Sequence, residues 1–261
     1  MSENERPGDN VPYVRDLRER VILDHLRKTG AATVSELATV TGSSLATIRR
    51  DLQQLDRAGT IRRAHGGAVL NDQDAPFASV EPVNREAKQR IAARAAELIE
   101  DGESVILDIG TTTLQLARML HGRHVTVITA SLAIYEALRD SRSVHLVMLP
   151  GDYDPVYQSV SGPLTVECLR MIRADHAFLG VSGVSDTGDL RDTTMAQVPI
   201  KEAIAEVSVE ITVLADHSKF PGTGLGRVKL PPAVARIVTD AEVSEPVSRA
   251  LAAAQVEVVV A

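Results

Sequence analysis

The chain has 261 residues, 44% hydrophobic and 24% charged, enough for one large domain or two ordinary ones at roughly 150 residues each, with a balance that excludes global disorder. No apolar run approaches the ~20 residues that span a bilayer, and the single Cys168 rules out an internal disulfide and reads as a small buried apolar side chain, so a cytoplasmic location is expected. The net charge of −7 argues against nucleic acid only when averaged: residues 1–70 hold eleven Lys and Arg against nine Asp and Glu, residues 71–261 hold 17 against 26, and the window 15–65 stands at +4.

Residues 1–14 read as a flexible polar tail. From 15 to 28, Leu17, Val21, Ile22 and Leu26 recur at helical spacing, and Gly30 supplies a stop. Thr33 and Glu36 then have the spacing of a capping box, which predicts a short second helix running to Gly42. Ser43 or Ser44 can cap a third helix whose buried stripe would be Leu45, Ile48, Leu52 and Leu55, ending at Gly59. At 100° per residue its opposite face carries Ser43, Ala46, Thr47, Arg50, Gln54 and Arg57, with Arg49 on the flank, and Ser44 joins them as a candidate DNA contact at the helix start. Such a face suits a major groove, where Arg reaches guanine edges and Ser, Thr and Gln reach bases or phosphates. Residues 60–69 read as strand, glycine turn and strand, a hairpin whose Arg62, Arg63 and His65 would lie beside phosphates or the minor groove. Three helices and this wing predict a winged helix-turn-helix over residues 15–70.

The run TVSELATVTGSSLATIRRDLQQLDRAGTIRRAHGGAV, residues 33–69, resembles the DNA-binding domain of DeoR-family bacterial transcription regulators, several constrained segments following in order. By that resemblance the helix-turn-helix proper covers residues 32–51, with Arg49 and Arg50 as leading DNA contacts.

Residues 71–84 contain two prolines and little periodicity and read as a linker. From residue 85 to 261 helices and strands alternate. Helices are expected at 85–101, 113–121 and 132–139 and at a segment opened by Pro199. Strands are expected at 104–109, 125–129, 144–149, 177–181, 211–215, 237–239 and 256–260. The alternation predicts a Rossmann-like α/β domain, a parallel sheet covered on both faces. Ligands of such sheets bind beyond the carboxyl ends of the strands. Four loops fall there: Asp108-Ile109-Gly110-Thr111-Thr112-Thr113, Thr129-Ala130-Ser131, Gly180-Val181-Ser182-Gly183-Val184 and Ala215-Asp216-His217-Ser218-Lys219-Phe220. In the first, a glycine turn, three hydroxyls and a helix N-terminus make an anion site; together the loops suit a phosphorylated polyol. Lys201, just inside a helix, reads by itself as a solvated charge.

The segments LDIGTTTLQLA, VTVITASLAI, ADHAFLGVSGV and ITVLADHSKF look like the sensor domain of the same family, which resembles ribose-5-phosphate isomerase in fold and binds phosphorylated sugar intermediates. The resemblance implies effector contacts at Asp108, Gly110, Thr111, Thr112, Gly183, Lys201, Asp216 and Lys219, and the hydroxyl of Thr113 joins them from the loop reading. The chain departs from the family's usual residues at Ala130, Pro150 and Gln197.

A Walker loop is absent, so nucleotide hydrolysis is not expected. Residues 222–226 imitate a dinucleotide fingerprint but follow Pro221 rather than a strand, and read as a mobile loop. Gly180-Val181-Ser182-Gly183 misses the nucleophile-elbow spacing by one, and seven His with one Cys form no zinc pattern. No catalytic residue, cofactor or metal is expected. The sequence therefore predicts a DNA-binding repressor, a dimer or tetramer, whose affinity for double-stranded operator DNA is set by a phosphorylated sugar or related metabolite. The alternatives are an isomerase-like enzyme using Asp108 or Asp216 as a base, and a winged helix serving only protein contacts.

Overall fold

A computed structural model describes residues 11–29, 31–57, 61–64, 66–70, 76–222, 224–228 and 232–261. They part into two compact units, divided between Ser79 and Val80. Among the described residues no helix is long and apolar enough to cross a membrane.

The first unit opens with α1 (Val11–Thr29), so the last residues of the expected tail are helical. Ile22 and Leu26 are fully buried, but Leu17 is 56% exposed. After β1 (Ala31–Thr33), α2 (Val34–Thr41) starts on the expected capping box: the Glu36 N–H donates to Thr33 Oγ1 at 3.2 Å, and the Thr33 N–H to Glu36 Oε2 at 2.7 Å. Helix α3 (Leu45–Arg57) buries Ile48, Leu52 and Leu55 against Ile22, Leu26 and Leu37. Leu45 leaves the stripe and is 46% exposed, because at the helix's first residue the small core has already ended.

Strands β2 (Ile61–Ala64) and β3 (Gly67–Leu70) form the expected hairpin, and β1 joins them in an antiparallel sheet of order β1-β3-β2. The sequence reading left β1 out; three small residues carry no period. Gly67 pairs with Thr33 so closely that a Cβ there would overlap the Ala32 carbonyl, which is why this turn residue must be glycine. His65 and the side chains of Arg57, Arg62 and Arg63 lie outside the described residues.

Within the segment expected as a linker, Phe77–Val80 form one helical turn, α4. The second unit continues with α5 (Arg85–Ala96), β4 (Ser104–Leu107), α6 (Thr111–Met119), β5 (Thr126–Thr129), α7 (Leu132–Leu138) and β6 (His145–Met148). A hairpin of β7 (Asp152–Asp154) and β8 (Ser159–Ser161) leads to α8 (Pro163–Arg170) and β9 (Ala174–Gly180). Then come β10 (Gly183–Val184), β11 (Leu190–Asp192), α9 (Val198–Val207), β12 (Ser208–Leu214), β13 (Gly226–Val228), β14 (Val234–Thr239), α10 (Glu245–Ala253) and β15 (Glu257–Val260). Single 3-10 turns precede α9, at Met195–Gln197, and follow β12, at His217–Lys219.

The main sheet has seven strands in the order β15-β14-β12-β9-β4-β5-β6, every pair parallel. Its strands are apolar on both faces, as a covered parallel sheet requires. One face joins Ile106, Ala177, Leu179, Ile211, Val213 and Ile237 to Leu169 of α8, Ile200, Ala203 and Ile204 of α9, and Val247 and Leu251 of α10. The alternate residues Val105, Leu107, Phe178 and Leu214 are also buried and face the other side, where α5, α6 and α7 pack. Strands β10, β11 and β13 form a separate small antiparallel sheet. Gly226 therefore opens a strand pairing with Asp192, so the expectation of a mobile loop over residues 222–226 is corrected at that residue; Thr223 lies outside the described residues.

The chain builds outward from β4 to β5 and β6, then returns to place β9 on the other side of β4 and builds outward again through β12, β14 and β15. The direction reverses between β4 and β9. Such a reversal point is the usual ligand position in sheets of this kind.

Candidate functional site

In the first unit, α3 is oriented by more than its apolar stripe. Arg18 of α1 donates from Nε to Asp51 Oδ2 at 2.6 Å and from Nη2 to Oδ1 at 3.2 Å, with Asp51 only 2% exposed. A two-pronged pair of this kind fixes the rotation of α3 about its axis. Neither partner was singled out by sequence; the signal available was a carboxylate lying between Ile48, Leu52 and Leu55 on the buried stripe. With α3 so fixed, Ser44, Ala46, Arg49 and Arg50 are exposed and Ser43, Thr47 and Gln54 half-buried. Of the two candidate caps it is Ser44 that serves: its Oγ accepts the Thr47 N–H at 3.1 Å and lies 2.9 Å from Thr47 Oγ1. Ser43 turns its hydroxyl toward Thr41 O at 3.4 Å. The hydroxyls are thus partly engaged within the turn, while the two guanidinium groups extend into solvent.

In the second unit, Asp108 ends β4 at the reversal point. Its Oδ2 accepts the Gly180 N–H at 3.0 Å, tying the end of β4 to the end of β9. Lys201, from α9, reaches the same oxygen and also contacts Gly180 O at 2.7 Å and Asp192 Oδ2 at 3.3 Å. Lys201 is 2% exposed, which corrects the reading of it as a solvated charge. Burial works against its ammonium, but Asp108 and Asp192 outweigh that cost and hold its pKa above the usual lysine range. Its three protons have three acceptors, so Lys201 positions Asp108 rather than offering a spare cation. Asp108 Oδ1, by contrast, is buried with no hydrogen-bond partner. A buried acceptor left unanswered is costly unless something supplies a donor.

Two residues beyond Asp108, Gly110 caps α6. The first N–H groups of a helix have no partner inside it and carry the positive end of its dipole. Thr111 is half-buried and Thr112 buried at this terminus. Thr113 is turned inward: its hydroxyl donates to Asp108 O at 2.6 Å and Gly110 O at 2.7 Å, and it is fully buried. Its expected effector contact is corrected to a structural role, because that hydroxyl closes the loop. The loop after β5 is likewise internal, Thr129 Oγ1 donating to Leu107 O at 2.7 Å and Ser131 Oγ accepting the Ile134 N–H at 3.3 Å.

The loops after β9 and β12 are pressed together. A Cβ on Gly222 would overlap Gly183 and crowd the carbonyls of Ser182 and Lys219, so Gly183 stands at a tightly packed position. Asp216 is 1% exposed; its Oδ1 accepts from Ser218 N at 3.0 Å, Ser218 Oγ at 2.5 Å and Asn84 Nδ2 at 3.0 Å. Burial opposes its charge, but these donors and Lys219 prevail and keep its pKa below the usual carboxylate range. That carboxylate builds the loop carrying Lys219, which is half-buried.

Sequence reasoning missed Lys88. It is 2% exposed, donates to Val80 O at 2.7 Å, and lies in the fields of Asp216 and Lys219. Burial pushes its pKa down to about 8, against the pull of Asp216. The signal was present, since Lys88 stands three and four residues before Ile91 and Ala92, on the apolar stripe of α5.

Residues 83–241, more than half of the chain, match the family model described as DeoR C terminal sensor domain, and residues 18–74 match the DeoR-like helix-turn-helix domain. The chain is 34% identical over 228 residues to the transcriptional repressor AccR of Agrobacterium fabrum, covering 85% of this chain and 88% of that protein. It is 30% identical over 206 residues to the glycerol-3-phosphate regulon repressor of Escherichia coli K12, covering 78% and 82%. Among solved structures, ribose 5-phosphate isomerase A from Methanocaldococcus jannaschii superposes with a TM-score of 0.39 at 22% identity, over 52% of this chain and 54% of that one. With its helix-turn-helix and sensor regions both matched, the chain belongs to the DeoR family of transcription regulators.

Proposed function

We propose that the protein is a cytoplasmic, sequence-specific repressor that binds operator DNA through α3 and the following hairpin, and whose operator affinity is controlled by a phosphorylated sugar or related small metabolite. On the DNA side the reading is supported by Arg49 and Arg50, exposed on a helix locked by the Arg18–Asp51 pair. A homo-oligomer presents paired recognition helices to paired half-sites. On the effector side one observation carries the reading: the unpartnered, buried Asp108 Oδ1 stands two residues from the N-terminus of α6, at the reversal point of the sheet. An anion would sit on the helix N-terminus and Thr111 and Thr112, facing Lys219, while a hydroxyl attached to it donates to Asp108. The domain boundaries proposed are 15–70 for DNA binding and 85–261 for sensing.

The test joins both ends. A thermal-shift screen of sugar phosphates is expected to find a ligand that raises the melting temperature, and that ligand is expected to change the mobility shift of DNA from upstream of the protein's own gene. Arg50→Ala is expected to lose roughly 1–3 kcal/mol of operator discrimination with ligand binding intact. Unchanged operator affinity would remove α3 from the groove, and turnover of aldose phosphates to ketoses would favour the isomerase alternative.

A further inference from the structure

The two compact units divide between Ser79 and Val80, and the residues that open the second unit are held by Asp216 of one loop of the candidate anion site, by Arg118 from the last turn of α6 and by Lys88 of α5. Asn84 donates to Asp216 Oδ1 at 3.0 Å, and Asp216 opens the turn that carries Lys219. Arg118, on the helix that begins at the Gly110 loop, pairs with Glu81 at 2.8 Å. Lys88 reaches back eight residues to the Val80 carbonyl at 2.7 Å. Residues 80–84 are therefore gripped at three points, one from the turn that carries Lys219, one from the last turn of α6 and one from α5.

The grip at Asn84 is the one poised to change. Asn84 has φ 54, a left-handed conformation that Asn tolerates but that needs surrounding contacts to hold it. Of the three donors on Asp216 Oδ1, the two from Ser218 are local to the turn and only Asn84 comes from elsewhere in the fold. Lys88, buried and sharing the fields of Asp216 and Lys219, feels any negative charge that arrives beside Lys219. Such a charge strengthens the hold on the Lys88 ammonium and competes for Lys219, which loosens the claim of Lys219 on Asp216.

We propose that Asn84 and Lys88 are the coupling residues of this regulator: through the Asn84–Asp216 and Lys88–Val80 bonds, occupancy of the site between Asp108 and Lys219 resets residues 80–84, where the sensing unit begins. The proposal rests on the effector reading above.

The experiment uses the full chain and its Asn84→Gly and Lys88→Met variants. Glycine keeps the left-handed backbone and removes only the amide, and methionine keeps the buried stem and removes only the charge. The probe is whichever of glycerol 3-phosphate, ribose 5-phosphate and fructose 6-phosphate gives binding heat with the wild type. Calorimetry reads probe affinity, and a duplex from upstream of the protein's own gene reads DNA affinity with and without saturating probe. The expected result is a probe effect on wild-type DNA affinity of about fivefold or more, falling below about twofold in both variants, with probe-free DNA affinity within about threefold of wild type in both and probe affinity within about threefold in Asn84→Gly; Lys88→Met, which lacks a charge that attracts the anion, binds the probe more weakly and is compared at saturating probe. A full probe effect in the variants overturns the proposal. So does loss of probe binding in Asn84→Gly, which would make Asn84 part of the ligand site. Absence of heat with every probe in the wild type overturns the effector reading itself, and this proposal with it.

Discussion

Lys201 shows how little a residue type says without its neighbours. One ammonium answers Asp108 and Asp192 and caps the Gly180 carbonyl, all inside the sheet's carboxyl edge. Replacing it with Met would leave two buried carboxylates without a counter-charge, a change that typically costs about 3–5 kcal/mol; urea unfolding of Lys201→Met is expected to show a loss of that order, and a loss under about 1 kcal/mol would mean that the pair is not closed. His176 offers a second measurement. Its Nε2 lies 2.9 Å from Thr212 Oγ1 and its ring stacks on Phe178 at 4.3 Å. Burial pushes its pKa from 6.5 down to about 4, against the pull of Glu210. The folded protein therefore binds fewer protons than the unfolded chain between those values, so this contribution to stability is intact above pH 6.5 and is lost as pH falls toward 4. At about 1.4 kcal/mol per unit the loss approaches about 3 kcal/mol, and His176→Gln is expected to be less acid-sensitive than wild type by that amount; parallel acid titrations of the two would discount His176. Asp108, Lys219 and the arginines of α3 were legible as residue types at loop and helix positions. The Arg18–Asp51 pair was not, because its partners are 33 residues apart, and Lys88 was marked only by its place on the apolar stripe of α5.

Elements with a strong local signal formed where the sequence placed them. The Thr33–Glu36 capping box starts α2, and Ile48, Leu52 and Leu55 seat α3. Both patterns are complete within one or two helical turns and need no distant partner. Besides the helices α4, α8 and α10, the elements missed were short strands: β1, the β7–β8 hairpin and the β10-β11-β13 sheet, whose strands are two or three residues long. Such segments become strands only because another strand arrives beside them. Gly67 makes the dependence testable. Its pairing with β1 leaves no room for a Cβ, so Gly67→Ala is expected to destabilise the first unit by about 1–3 kcal/mol and to weaken DNA binding in proportion. A variant with unchanged melting temperature would show that β1 can move away at little cost.

The whole chain divides between Ser79 and Val80 into two compact units, each with its own core. A fragment of residues 80–261 is expected to unfold in one cooperative transition and to keep ligand-induced stabilisation while losing DNA affinity; a fragment without a cooperative transition would show that the sensing sheet needs the first unit. What the sequence determined by itself is what local periodicity and spacing encode: a winged helix followed by alternating strands and helices, and loops with hydroxyls, a carboxylate and a lysine at strand ends. Only the tertiary structure decided the order β15-β14-β12-β9-β4-β5-β6, and with it the reversal that puts Asp108 beside Gly180. The same long-range pairing decided that Lys201 is an internal counter-ion, that the Thr113 hydroxyl closes its own loop, and that Asp216 is held by Asn84. The physical reason is range: helix caps and apolar stripes act across a few residues, whereas strand order and buried charge pairing depend on residues 33 to 132 positions apart, which meet only when the chain has folded.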